Sequence, residues 1–185
     1  MPTTAEPMLF DAVTLRHFAA ADALDVCRQL VEDRDPPRWT DAVSAEIAAG
    51  LRLGIDECVS VQECAWLGVP VEPEVLDLES IVRLQRALSE SSGAEGNAGE
   101  AESIYFAERL GGLFATDDGL AFDFACRRLG RDHVVDMVDL LQRAVVESII
   151  TSQEAADYAA RVTDSGRHLR RGRLRYPGST FFEMN

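Results

Sequence analysis

Two aspartates stand directly after apolar runs of the kind that form buried strands. Asp11 follows Met8-Leu9-Phe10, and Asp118 follows the run 113–116 with only Asp117 between them. If both strands belong to one parallel sheet, their carboxyl ends meet at the edge where open α/β sheets place their ligands. Carboxylate oxygens are the ligands that Mg²⁺ prefers in proteins. The sequence therefore predicts that these acids converge on a divalent metal ion.

Two glutamates lie on the apolar stripes of predicted helices. Glu100 opens a helix and extends the stripe formed by Ile104 and Ala107, and Glu46 stands next to Ile47 in a second helix. A carboxylate that faces the core needs a partner, because an unpaired buried charge is costly. Since no basic residue follows at a matching position nearby in the sequence, we expect these acids to share a cation.

Each acid also has an ordinary explanation. Asp118 precedes Gly119 and a helix, so it is equally suited to cap that helix, in which case Asp117 is the alternative metal ligand. Glu100 is favourable at any helix N-terminus, and Glu46 fits the border of an exposed face. Asp11 is the least easily explained, because a strand followed by a helix does not require an acid.

The elements that must position these acids alternate between short apolar runs and amphipathic helices, which predicts βαβ units around a parallel sheet. We expect strands at 8–10, 39–40, 113–116 and 134–135, with an extended segment at 67–71. We expect helices at 15–31, 42–49, 55–66, 74–88, 100–110, 120–129, 138–150 and 153–162. The segment 91–99 is rich in small and turn-forming residues and predicts a flexible loop.

The acids and their setting resemble the PIN-domain nucleases, including ribonuclease toxins of the VapC type. The similarity consists of LFDAVTLRHF at 9–18, AVSAEIAAG at 42–50 and GEAESIYFAERLGGLFATDD at 99–118. It implies a three-layer α/β/α fold with a central parallel sheet of about five strands. It also implies Mg²⁺- or Mn²⁺-dependent hydrolysis of RNA, and for the toxin members an antitoxin protein and commonly a homodimer.

The resemblance assigns the four acids of the site to Asp11, Glu46, Glu100 and Asp118, which are then the catalytic and metal-binding residues. Asp117 is a further candidate, either as a metal ligand or as a supporting group that orients a water. The sequence departs from the family pattern after the first acid, since Ala12 and Val13 precede Thr14 where many members have a hydroxyl residue at once.

Charge limits how such a protein could meet RNA. The formal net charge of −14 argues against passive binding to a phosphate backbone. The segment 167–175, however, contains five arginines and no acid. Such a segment is suited to steering RNA, although a solvated tail is an equal alternative. We expect a nuclease domain over 1–163 and a basic C-terminal tail over 164–185.

The remaining composition predicts a cytoplasmic protein. No apolar run is long enough to span a bilayer, and the N-terminus shows no secretory signal. The four cysteines form no C-x-x-C pair, so we expect reduced thiols.

Two other functions compete with the nuclease. A haloacid-dehalogenase-type phosphatase would use Asp11 as its nucleophile, but Val13 replaces the second aspartate that such an enzyme needs. A non-catalytic PIN-like module would instead bind a basic protein partner through its acidic surface. His17, two turns beyond Asp11, is expected to be a structural or surface residue rather than a general acid–base.

Overall fold

The chain forms an α/β structure that is mostly helical around a small parallel sheet. The structure is a computed structural model, and it describes residues 6–92, 96–169 and 179–183. Three strands pair in the order β1-β2-β3, all parallel: β1 is Met8–Phe10, β2 is Leu113–Ala115 and β3 is Val134–Val135. All three match predicted strands, which brings Asp11 and Asp118 to the same edge.

Helices connect and cover these strands. In chain order they are α1 (Ala12–Ala20), α2 (Leu24–Val31), α3 (Asp41–Arg52), α4 (Asp56–Gln62), α5 (Val75–Ser92), α6 (Ala98–Leu110), α7 (Gly119–Leu129), α8 (Met137–Val146), α9 (Ser152–Asp164) and α10 (Ser179–Glu183). Short 3-10 turns occupy Ala65–Leu67 and Arg131–His133. Within the described ranges, no helix has the length and apolarity that crossing a membrane would require.

The sheet contains three strands within the described residues, whereas about five were expected. Two single-residue pairings extend it beyond β1: the Phe10 amide donates to the Arg38 carbonyl (2.8 Å), and Thr40 forms an isolated parallel bridge with Val71. Pro37 and Pro70 stand directly before Arg38 and Val71, and proline supplies no backbone donor, which limits how far these pairings can extend. The 39–40 and 67–71 segments are thus extended neighbours of the sheet rather than full strands.

Helices pack on both faces of the sheet. Because side chains alternate along a strand, Met8 and Phe10 face one core, together with residues of α1, α2, α3, α8 and α9. Leu9 and Phe114 face a second core with α5, α6 and α7. The strand ends are therefore enclosed by the helices that carry the predicted acids.

The helix predicted over 15–31 is wrong as a single element. It begins earlier, at Ala12, because Asp11 caps it, and it ends at Ala20. Asp22 then adopts a left-handed backbone with φ 56°, which breaks the helical path before α2 starts.

The predicted C-terminal tail contains one helix of its own. Phe182 of α10 is buried in the core beside α9. Of the arginine-rich segment, 167–169 are described, and 170–175 lie outside the described residues. The two neighbouring helices occupy both ends of the loop predicted at 91–99, because α5 ends at Ser92 and α6 begins at Ala98. Residues 93–95 of that loop lie outside the described residues.

Candidate functional site

Asp11 occupies the point where β1 passes into α1. Its side chain is 2% exposed. One oxygen accepts a hydrogen bond from the Thr14 amide (2.6 Å), which caps α1, and the other accepts from the Thr116 hydroxyl (2.5 Å). Burial raises the pKa of Asp11 to about 7 even though these bonds lower it. Asp11 is therefore held in one position at a substantial cost to its charged form.

Asp118 caps α7, as one of the two interpretations of its sequence position predicted. Its Oδ1 accepts from the amides of Leu120 (2.9 Å) and Ala121 (2.8 Å). Both bonds use the same oxygen, so no described group donates to Oδ2. Capping and metal binding are thus compatible in this residue, because each can use a different carboxylate oxygen.

Thr116 joins the two aspartates, and sequence reasoning missed it. Its hydroxyl donates to Asp11 and accepts from the Asp118 amide (3.1 Å). The hydroxyl that supports Asp11 is therefore supplied by the residue that directly follows β2. The sequence pattern that could have predicted this role is a threonine directly before two aspartates at the end of a strand.

Glu100 lies in the first turn of α6, close to both aspartates. Its Oε2 is buried and accepts no hydrogen bond. Burial raises the pKa of Glu100 to about 7, and the charges of Asp11 and Asp118 act in the same direction. Glu100 is thus a carboxylate that faces other carboxylates, with an oxygen left for a cation.

Glu46 reaches the site from α3. Its Oε1 accepts from the Gly99 amide (3.0 Å) at the start of α6. Burial and the charge of Glu100 raise the pKa of Glu46 to about 7. Gly99 leaves room for this position of the carboxylate, because a Cβ there would lie 2.6 Å from that same Oε1 and would displace it. The glycine before Glu100 therefore lets α3 and α6 approach closely enough for the two glutamates to interact.

Asp117 faces the other side of the strand end. It is 5% exposed, and its Oδ1 accepts from the Met137 amide (3.3 Å). Its Oδ2 lies 3.2 Å from Nδ1 of His17, without the alignment of a hydrogen bond. One oxygen of Asp117 thus supports the strand end, while Oδ2, like Oε2 of Glu100, accepts no hydrogen bond, so both roles predicted for Asp117 stay open. His17 is buried, in keeping with the structural role expected for it.

The charges of the four acids affect one another in pairs that share Glu100, and the four do not form one closed group. Glu46 interacts with Glu100, and Glu100 interacts with Asp11 and Asp118. As the side chains stand, no three His, Cys, Asp or Glu residues in the described part of the chain are close enough together to hold a metal ion. The donor set nevertheless fits Mg²⁺ or Mn²⁺, because it consists of carboxylate oxygens and Glu100 has one without a partner.

The chain was compared with models of known protein families, with curated proteins and with solved structures, and none of the three comparisons found a match. The function is therefore inferred from the geometry of the site.

Proposed function

We propose that this chain is a PIN-like, metal-dependent endoribonuclease that hydrolyses RNA phosphodiester bonds with Mg²⁺ or Mn²⁺. The observation that carries the proposal is a linked set of carboxylates at the carboxyl edge of the sheet, in which Glu100 keeps one buried oxygen without a hydrogen bond and interacts with Glu46, Asp11 and Asp118. None of these four acids forms an ion pair with a basic residue in the described part of the chain, which is the arrangement expected where a bound cation supplies the missing charge.

The fold supports the same proposal. Helices cover both faces of a parallel sheet, and two further extended segments continue its hydrogen bonding beyond β1. The described sheet itself has three strands, and a sheet of about five strands remains a prediction from the resemblance. An antitoxin partner and a homodimer remain predictions from the resemblance.

Each residue has a distinct part in the proposed chemistry. Asp11, Glu46, Glu100 and Asp118 would hold the metal, which when bound would lower the pKa of a water and offset charge on the scissile phosphate. Thr116 fixes Asp11 relative to Asp118 through its two hydrogen bonds. Asp117 anchors the same strand end to α8.

Cleavage of labelled single-stranded RNAs of mixed sequence tests the proposal. The protein, stripped with a chelator, should cut only after Mg²⁺ or Mn²⁺ is added. Asp118→Asn keeps a helix-capping side chain but loses charge, and it should reduce cleavage at least about 100-fold, the upper range for residues that only support metal ligands. Asp123→Asn is the matched control, since Asp123 is exposed on the same helix.

The same variants address the alternative function. A non-catalytic interaction module is favoured by the absence of a closed three-ligand group among the described residues. That module predicts no cleavage of any RNA and no change in melting temperature when Mn²⁺ is added. A metal-dependent rise in melting temperature that Asp118→Asn removes and Asp123→Asn keeps would instead support the nuclease.

A further inference from the structure

Arg16 is a cation beside the acidic site that lacks the pairing seen for several other arginines. It lies on α1, five residues beyond Asp11, and is partly buried. Its Nε is buried and donates to no acceptor, and no acid of the described residues lies at ion-pair distance from it. Arg109 and Arg128, by contrast, donate to Asp77 and Glu108 at 2.7 Å. Arg16 thus retains donors that no described group uses.

Arg16 lies on the helix that packs against both α3, which carries Glu46, and α4, which carries Glu57. Burial and Glu100 raise the pKa of Glu46, and the positive charge of Arg16 opposes them. The pKa of Glu57 is lowered, because the hydrogen bond from Arg167 and the charges of Arg167 and, last, Arg16 outweigh the effect of burial. Arg16 therefore lies at the border between the acidic site and α4.

Arg167 adds a second positive group at the same border. It donates to Glu57 at 2.7 Å, so the arginine-rich segment starts beside α4. Arg167 is paired with Glu57, whereas Arg16 forms no ion pair among the described residues, on a chain whose formal net charge is −14. A phosphate backbone needs a local positive charge to approach an acidic protein.

We propose that Arg16 binds a backbone phosphate of the RNA next to the one that is cut, an assignment that rests on the proposed nuclease function. A guanidinium presents its donors in a planar fork that matches two phosphate oxygens. The rival explanation is that Arg16 only offsets the charge of Glu46. If Arg16 contacts a phosphate, its replacement should weaken RNA binding and leave Mn²⁺ binding intact, whereas under the rival explanation RNA affinity should not change.

RNA binding is measured by fluorescence anisotropy of a labelled single-stranded RNA, with Mg²⁺ and in an Asp118→Asn background that slows cleavage. Adding Arg16→Gln should weaken binding about tenfold, as expected for one charge-assisted contact. It should also reduce the slope of log affinity against log salt by about 0.7, the value for one phosphate on a single strand. Arg128→Gln, which removes an arginine from the far end of α7, should leave affinity within about twofold.

Metal binding supplies the second readout, by titration of Mn²⁺ without RNA. Arg16→Gln should bind Mn²⁺ at least as tightly as the unmodified protein, because a repelling charge has been removed. Arg16→Lys keeps the charge without the fork and should fall between the two in RNA affinity.

Three results would overturn the assignment of Arg16. The first is equal RNA affinity for the Arg16→Gln and Arg128→Gln proteins, and the second is no RNA binding by the unmodified protein. The third is loss of both RNA and Mn²⁺ binding in Arg16→Gln, which would mark Arg16 as structural. If the unmodified protein cleaves no RNA but binds it in a way that depends on Arg16, the nuclease proposal is refuted. The contact between Arg16 and a phosphate is then still supported.

Discussion

Replacing Asp11 with asparagine should make the metal-free protein more stable at about pH 8 while abolishing RNA cleavage. The carboxylate is buried, so its charged form is disfavoured in the folded chain. Asparagine has nearly the same shape, its oxygen still accepts from the Thr14 amide, and its amide group can donate to the Thr116 hydroxyl. The substitution therefore removes the charge and keeps the packing.

The size of the effect follows from the pKa of Asp11, which burial raises from 3.8 to about 7. The folded chain holds the proton more tightly than the unfolded chain, so the stability it contributes is complete below about pH 4. It is lost as the pH rises to about 7, at about 1.4 kcal/mol for each pH unit, or roughly 4 kcal/mol in all. Since Glu100 interacts with Asp11, the two acids titrate together, and Asp11→Asn also eases the ionisation of Glu100.

Urea unfolding followed by circular dichroism, with a chelator present, measures this dependence between about pH 5 and pH 8. The unmodified protein should lose stability as the pH rises, and Asp11→Asn should show a flatter profile. At the upper end its free energy of unfolding should be roughly 4 kcal/mol higher, and a separate thermal melt should rise by roughly 10 °C. Asp123→Asn should follow the unmodified protein. An Asp11→Asn protein that is no more stable than the unmodified protein at about pH 8 would refute the reasoning.

Three further substitutions test residues that position the carboxylates of the site. Gly99→Ala should displace the Glu46 carboxylate and weaken Mn²⁺ binding in a titration, with no loss of melting temperature, because alanine favours a helix over glycine by about 1 kcal/mol; unchanged Mn²⁺ affinity would contradict this. Thr116→Val should lower stability by about 1–3 kcal/mol in urea and reduce cleavage, since Asp11 loses a donor, and Thr116→Ser should restore both. Asp117→Ala should cost a similar roughly 1–3 kcal/mol by leaving the Met137 amide without its acceptor, yet the folded protein should still bind Mn²⁺; loss of Mn²⁺ binding by folded protein would make Asp117 a ligand.

Local patterns were sufficient to predict the strands and most helices, but not the break between α1 and α2. The residues around it are Ala20, Ala21 and Ala23, which favour helix, so the pattern predicts continuation. The break depends on a distant residue: Arg161 donates to the Ala21 carbonyl (2.9 Å), which satisfies a group freed where the helix ends. A contact across 140 positions is not visible in local periodicity.

The site could be predicted in part for a similar reason. Parallel topology alone brings Asp11 and Asp118 to one edge, so their proximity follows from recognising two strands. The bridging role of Thr116 depends on the register that pairs Phe10 with Ala115, which no local pattern specifies. The steric need for Gly99 likewise depends on how closely α3 and α6 pack.

Asp77 shows that this fold can pair a buried acid with a basic residue of its own chain. Asp11, Glu46 and Glu100 lie where the described part of the chain supplies no such partner. Asp77 is also buried, at 4% exposure, yet it accepts hydrogen bonds from the Tyr105 hydroxyl (2.6 Å) and from Arg109 (2.7 and 2.8 Å). The Tyr105 hydrogen bond and these other contacts lower its pKa, whereas burial raises that of Asp11. A chain that pairs one buried carboxylate so fully has the means to pair the others. Asp11 and Glu46 each interact with Glu100 instead, and none of the three forms an ion pair with a basic residue of the described chain; the Mg²⁺ or Mn²⁺ ion of the proposed function would replace the protons that neutralise these acids below about pH 7.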